Sequence, residues 1–221
     1  MNYLTHQLLN SEELEIVRKD LNKEDFLWED GKRTAGVHAA QVKNNLQLRR
    51  DSDLSKKLSG LIIRKILNNE LIKSFALPKK IHGTIFSKST KGMKYGRHID
   101  NVYMSSGRAD LSFTIFLNSK DSYEGGELSI EDFNSEEKFK LNAGEIIIYP
   151  STFLHSVEEV TNGERLVFIG WIESYVKSIE EREYLFDLDA AAKSLLSKYG
   201  RSREVDLIFK SYSNLLRRLG S

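Results

Sequence analysis

The chain has 221 residues, with Lys+Arg 33 against Asp+Glu 32 for a net charge of +1, and it contains no cysteine. This near-neutral balance gives no electrostatic reason to expect nucleic acid or an anionic membrane as a partner. The lack of cysteine excludes a disulfide framework, a thiolate nucleophile and sulfur-rich metal sites. No apolar run approaches a membrane span and the first residues lack the basic-then-apolar order of a leader, so the expected location is the cytoplasm.

In chain order, Ser11 followed by Glu12 and Glu13 predicts a cap and an acidic first turn for a helix through about Leu21, because carboxylates there offset the positive helix end. Asp51 or Ser52 opens a second helix. Its apolar residues Leu54, Leu58, Leu61, Ile62 and Ile66 form one stripe, so this helix is expected to lie across the outer face of a sheet. Residues 81–172 carry mostly strand and turn signals, enough for about eight short strands of a double-stranded β-helix. Strand-like runs fall at 111–117 and 126–130, with Gly125-Gly126 as a turn device, and at 146–149, stopped by Pro150. From about residue 178 the signals are helical again. Val205, Ile208, Phe209, Tyr212, Leu215, Leu216 and Leu219 fall on one stripe, with Arg217 and Arg218 in the last turn. The expected fold is α+β with a mainly β core: a double-stranded β-helix (jelly-roll, cupin-like) with N-terminal supporting helices and a C-terminal helical appendage. The three regions are 1–80, 81–177 and 178–221, the last too short to fold alone.

Chemistry concentrates in the core. In Tyr95-Gly96-Arg97-His98-Ile99-Asp100, a strand-like backbone points residues i and i+2 the same way, so His98 and Asp100 are placed to grip one ion. His155, five residues past Pro150, supplies a third ligand from a different segment. Two imidazoles and a carboxylate on one face of iron(II) leave the opposite face open for substrate and O₂. Arg165, at the head of the apolar run 166–172, offers a planar fork for the far carboxylate of a dicarboxylic acid. Each residue also has a plainer role. His98 with Asp100 makes a hydrogen-bonded surface pair, His155 a satisfied core histidine, and Arg165 a hairpin residue in an exposed ion pair. Tyr95 and Thr114 either face the pocket or pack the core. His6, His38 and His82 have no second ligand at metal spacing and receive no role. Two other function classes use the same residues: a cupin-like binding module without turnover, and a zinc hydrolase with a metal-bound water. The second lacks a His-Glu-x-x-His signature.

Several short stretches resemble the iron(II)/2-oxoglutarate-dependent dioxygenases, and among them the bacterial PKHD-type (prolyl/lysyl-hydroxylase-domain-like) hydroxylases. They include Thr34-Ala35-Gly36, Lys43-Asn44-Asn45, Gly92-Met93, Asp110-Leu111-Ser112, Tyr123-Glu124-Gly125-Gly126-Glu127-Leu128 and Ala143-Gly144-Glu145. Tyr149-Pro150-Ser151, His155-Ser156-Val157, residues 160–165, Trp171-Ile172-Glu173-Ser174 and residues 185–189 continue the likeness over nearly the whole chain. The resemblance implies Fe(2+) held by His98, Asp100 and His155, with no catalytic residue beyond these ligands, and 2-oxoglutarate as cosubstrate with Arg165 on its C5 carboxylate. It further implies L-ascorbate as reductant. The reaction implied is hydroxylation of a C–H bond coupled to decarboxylation of 2-oxoglutarate to succinate and CO₂. Asp100 favours hydroxylation over halogenation, since related halogenases carry a small residue there. Related hydroxylases often have a tyrosine where this chain has Ser89. The substrate is a peptide, protein or small molecule, with prolyl or lysyl side chains one class among them, and a homodimer is left open.

Overall fold

The computed structural model of the chain describes residues 3–23, 25–34, 40–132 and 135–221; His38 and the Ala35-Gly36 pair lie outside them. The N-terminal part holds β1 (Leu4–Gln7), α1 (Ser11–Leu21), β2 (Trp28–Asp30), β3 (Lys43–Asn44), β4 (Leu46–Leu48), α2 (Asp53–Asn68) and α3 (Glu70–Ala76). The core follows as β5 (Pro78–Thr90), β6 (Lys94–His98), β7 (Tyr103–Met104), β8 (Gly107–Arg108), β9 (Leu111–Phe116) and β10 (Tyr123–Gly125). It continues through β11 (Leu128–Asp132), β12 (Ser135–Phe139), β13 (Glu145–Pro150), β14 (Leu154–Val157) and β15 (Val160–Ser174), and α4 (Ile179–Tyr199) and α5 (Arg203–Leu219) close the chain.

Local chemistry sets the helix ends. Asn10, not Ser11, caps α1: its Oδ1 accepts the Glu13 N–H at 2.9 Å while the Glu13 carboxylate accepts the Asn10 N–H at 3.1 Å. The reciprocal pair satisfies two of the free N–H groups at a helix start, which a serine one residue later does not. Ser52 caps α2, accepting from Ser55 N–H at 3.1 Å. After α3, Leu77 takes a left-handed conformation (φ 44°) and Pro78 follows, so the helix cannot continue.

Two antiparallel sheets face each other. The larger runs β1-β13-β9-β15-β5-β4-β2 with β10 paired beside β15, and the smaller runs β12-β11-β14-β6-β3. Both faces of the larger sheet are covered, which explains why its strands read as unbroken apolar runs. On β13, Ile146 and Ile148 belong to the helix-side core with Leu14, Val17, Leu58, Ile62 and Ile66, while Ile147 and Tyr149 point between the sheets toward Phe116, Leu128 and Val167. The alternation is that of a pleated strand, with successive side chains on opposite faces. Two long strands, β5 and β15, pair along most of their length and carry the larger sheet. Asn162-Gly163-Glu164 lies within β15 and makes no turn, because β10 pairs with it there.

At the C-terminus, α4 and α5 form a hairpin whose Leu185, Tyr212, Leu215, Leu216 and Leu219 pack with Leu77 and Val176. Of the α5 stripe only Val205 is fully buried. Among the described residues no helix is long and apolar enough to cross a membrane.

Candidate active site

The smaller sheet delivers both imidazoles. His98 ends β6 and His155 is the second residue of β14; the two strands are neighbours, and His155 pairs directly with His98 in register. Their ring centres lie 4.3 Å apart. Asp100 lies past the end of β6, so the carboxylate reaches the site from the loop and not from a continuous strand as the i, i+2 spacing predicts. Within the paired part, a bulge between β14 and β6 falls between Tyr95 and His98. One ligand atom from each of His98, Asp100 and His155 lies within 4.8 Å of the other two. The Asp100 and His155 side chains are about nine-tenths buried, the geometry of an interior site and not of a surface pair.

Backbone carbonyls orient the two rings. His98 Nδ1 lies 2.8 Å from the Gly96 carbonyl and His155 Nδ1 lies 3.1 Å from the Phe153 carbonyl. A carbonyl only accepts, so each Nδ1 carries a proton and Nε2 is left as the nitrogen available to a metal. Burial, followed by the neighbouring His155, lowers the His98 pKa and keeps the ring neutral. The Tyr95 ring stacks on His98 at 3.7 Å. Asp100 is held just as firmly. Its Oδ2 accepts from Ser112 Oγ at 2.6 Å and from Trp171 Nε1 at 2.8 Å, and Ser112 in turn meets Ser151 Oγ at 2.8 Å. Gly83 (φ 64°) makes room for the indole, since a Cβ there would lie 2.6 Å from a Trp171 ring carbon.

Arg165 comes from the larger sheet. It lies inside β15, opposite Ser89 of β5, and is 3% exposed, so it makes no exposed ion pair. The Phe116 ring lies 5.5 Å from its guanidinium carbon. Arg165 Nε has no hydrogen-bond partner among the described residues, which leaves a buried donor available to an acceptor. Tyr149 connects the two ends. It packs in the inter-sheet cluster with Phe116, the ring that faces the Arg165 guanidinium, and burial raises the pKa of its phenol well above the ordinary value. Its ring also sits 5.4 Å from that of His155. Thr114 is buried on β9, and His82 is fully engaged outside the site, with Nδ1 on Ser106 Oγ and Nε2 on the Arg108 carbonyl.

Trp171, Ser112 and Tyr149 stand in stretches of the sequence with no metal-ligand chemistry of their own. They join the site because register stacks them: Trp171 of β15 and Tyr149 of β13 both pair with Ser112 of β9.

Comparison with known proteins fits this geometry. Residues 84–173 match the model of the 2OG-Fe(II) oxygenase superfamily and residues 180–220 that of the PKHD-type hydroxylase C-terminal domain. A PKHD-type hydroxylase of Prochlorococcus marinus strain MIT 9215 is 74% identical over 220 residues, covering 100% of both chains. The chain belongs to the PKHD-type hydroxylase family. Its fold is similar to that of a prolyl-4-hydroxylase from Pseudomonas putida (TM-score 0.58, 16% identity, covering 78% of this chain and 92% of that one). It is also similar to a prolyl hydroxylase from Trichoplax adhaerens in complex with a hypoxia inducible factor oxygen degradation domain peptide fragment (TM-score 0.55, 15% identity, covering 83% and 86%). As a PKHD-type hydroxylase, the chain is an oxidoreductase of the 2OG-Fe(II) oxygenase class, for which iron(II) and 2-oxoglutarate are implied. The donor set fits that metal: two imidazoles and a carboxylate leave coordination positions free, as iron(II) oxygenases require.

Proposed function

We propose that this hydroxylase holds iron(II) with His98, Asp100 and His155, and 2-oxoglutarate with Arg165. It then converts 2-oxoglutarate, O₂ and a substrate C–H group into succinate, CO₂ and the corresponding alcohol. The observation that supports this reading best is a triad of ligand atoms inside the fold linked to a buried guanidinium through the rings of Tyr149 and Phe116. Bound iron(II) supplies O₂ activation, and the protein supplies position and exclusion of water. The two backbone carbonyls keep both imidazoles in the ligating tautomer, while Ser112 and Trp171 stop Asp100 from rotating away. Arg165 fixes the far end of the cosubstrate, a contact that discriminates against monoacids.

L-Ascorbate, by the family likeness, keeps the metal ferrous, and the cytoplasm supplies reduced iron and 2-oxoglutarate. Prolyl or lysyl side chains of peptides are the substrate class we favour, since a structural neighbour holds a peptide. Self-association fits the tip of the C-terminal hairpin, where Leu195, Leu196, Tyr199 and Leu207 are exposed.

The test is incubation with iron(II), 2-oxoglutarate, O₂ and a peptide library. The expected result is succinate together with a product one oxygen atom heavier, both lost in Asp100→Ala. Turnover that persists in Asp100→Ala, or that zinc supports as well as iron, contradicts the reading.

A further inference from the structure

Tyr123 belongs to the family-like stretch that ends in Leu128, but nothing in its spacing gives it a role. The fold places it beside Arg165. Tyr123 opens β10 and pairs with Gly163, two residues before Arg165 on β15. Gly163 (φ 75°) permits the close approach, because a Cβ there would lie 2.9 Å from Tyr123 Cα. Gly126 (φ 68°) clears the other flank: a Cβ there would lie 3.0 Å from Arg165 Cδ and 3.1 Å from Tyr123 Cε2. Lys140 fixes the tyrosine, with Nζ 4.2 Å from the ring centre and donating to the Tyr123 carbonyl at 2.7 Å. On the far side of β15, Ser89 offers Arg165 only a short hydroxyl.

Both groups are buried, Tyr123 at 4% and Arg165 at 3% exposure. The phenol lies against the guanidinium, close enough for the two to interact, but neither Tyr123 Oη nor Arg165 Nε completes a hydrogen bond of full geometry among the described residues. Buried donors left in this way are costly, so two of them side by side call for a shared acceptor. A carboxylate has two oxygens and enough lone pairs to accept from both. Burial raises the pKa of the phenol, so at neutral pH it remains an O–H donor.

We propose that Tyr123 is the second anchor of the cosubstrate: its O–H donates to the carboxylate that Arg165 pairs with, and together they select a 2-oxo diacid over a 2-oxo monoacid. The inference rests on the assignment of Arg165 made above. It also makes Tyr123 a specificity residue, whose hydroxyl adds nothing to the fold in the absence of ligand.

The experiment is anaerobic calorimetric titration of the iron(II)-loaded full chain with 2-oxoglutarate and with 2-oxopentanoate, which lacks the far carboxylate. Thermal midpoints without either acid are measured alongside. Tyr123→Phe keeps the ring under Lys140, and it is expected to weaken 2-oxoglutarate about tenfold or more while leaving 2-oxopentanoate unchanged. The midpoint should stay the same or rise, since a buried hydroxyl without a partner has been deleted. An affinity for 2-oxoglutarate within about twofold of the parent, equal losses for both acids, or a lowered midpoint each overturn the proposal. Arg165→Lys separates the two assignments. If Arg165→Lys loses the preference for the diacid and Tyr123→Phe keeps it, only the role of Tyr123 fails. If the parent shows no such preference, or Arg165→Lys retains it in full, the assignment of Arg165 fails first.

Discussion

Lys43 shows what a single residue at the site's edge costs the fold. It is 5% exposed on β3, with its ammonium 5.0 Å from the centre of the Tyr95 ring that stacks on His98. Burial, and next the nearby Arg50, push its pKa from the ordinary 10.5 down to about 8. Between those two values the unfolded chain holds a proton that the folded chain has released, so stability rises as pH climbs from 8 toward 10.5. Below 8 both states are charged and the penalty is at its full size. Lys43→Met should therefore raise the thermal midpoint of the metal-free protein at pH 7, by up to about 3 kcal/mol in stability, and the gain should shrink above pH 8. A midpoint difference that is constant across that range would show that the buried charge is not its source. At this scale, sequence reading finds groups whose chemistry is strong by type: His98, Asp100, His155 and Arg165 stand out as ligands or anion binders wherever they fall. It misses Trp171, Ser112, Tyr149 and Tyr123, because an indole or a hydroxyl acquires its role only from the strand register that sets it beside Asp100 or Arg165.

Among the elements, α2 is the clearest product of patterning. Leu58, Ile62 and Ile66 of the stripe are fully buried in the helix-side core, and Leu54 and Leu61 pack at its margin. The period of 3.6 residues survives any tertiary arrangement that covers one helix face, so it is visible before the fold is known. Ile62 has no exposed surface, and Ile62→Ala should cost about 2–5 kcal/mol in chemical denaturation while the remaining folded protein binds iron as before. A loss below about 1 kcal/mol would mean that this layer does not support the sheet. Strand limits are harder to read. The run in β15 is apolar on both faces, so neither its start at Val160 nor its passage through Asn162-Gly163-Glu164 has a period-2 signature. Gly163 signals a turn in the sequence but serves as a close-approach point for β10. The same limit explains Asp100: two residues past His98 suggests one strand, whereas the pairing of β6 ends at His98.

Across the whole molecule, the site exists only when both sheets are in place. The smaller sheet carries His98 and His155, and the larger carries Arg165 together with Trp171 and Ser112, which hold Asp100. The helices α1, α2 and α3 brace the outer face of the larger sheet and contribute no ligand. Metal and cosubstrate affinity therefore report on the assembled barrel and on no single segment. These few side chains form the proposed iron(II) and 2-oxoglutarate centre. The most direct test is anaerobic addition of 2-oxoglutarate to the iron(II)-loaded chain, followed by the visible charge-transfer absorption that a 2-oxo acid gives when it chelates ferrous iron. The expected result is a band that saturates at one 2-oxoglutarate per chain and is absent from His98→Ala, Asp100→Ala and His155→Ala. A parent protein that binds both components without the band, or triad variants that develop it at full strength, would overturn the assignment of these ligands.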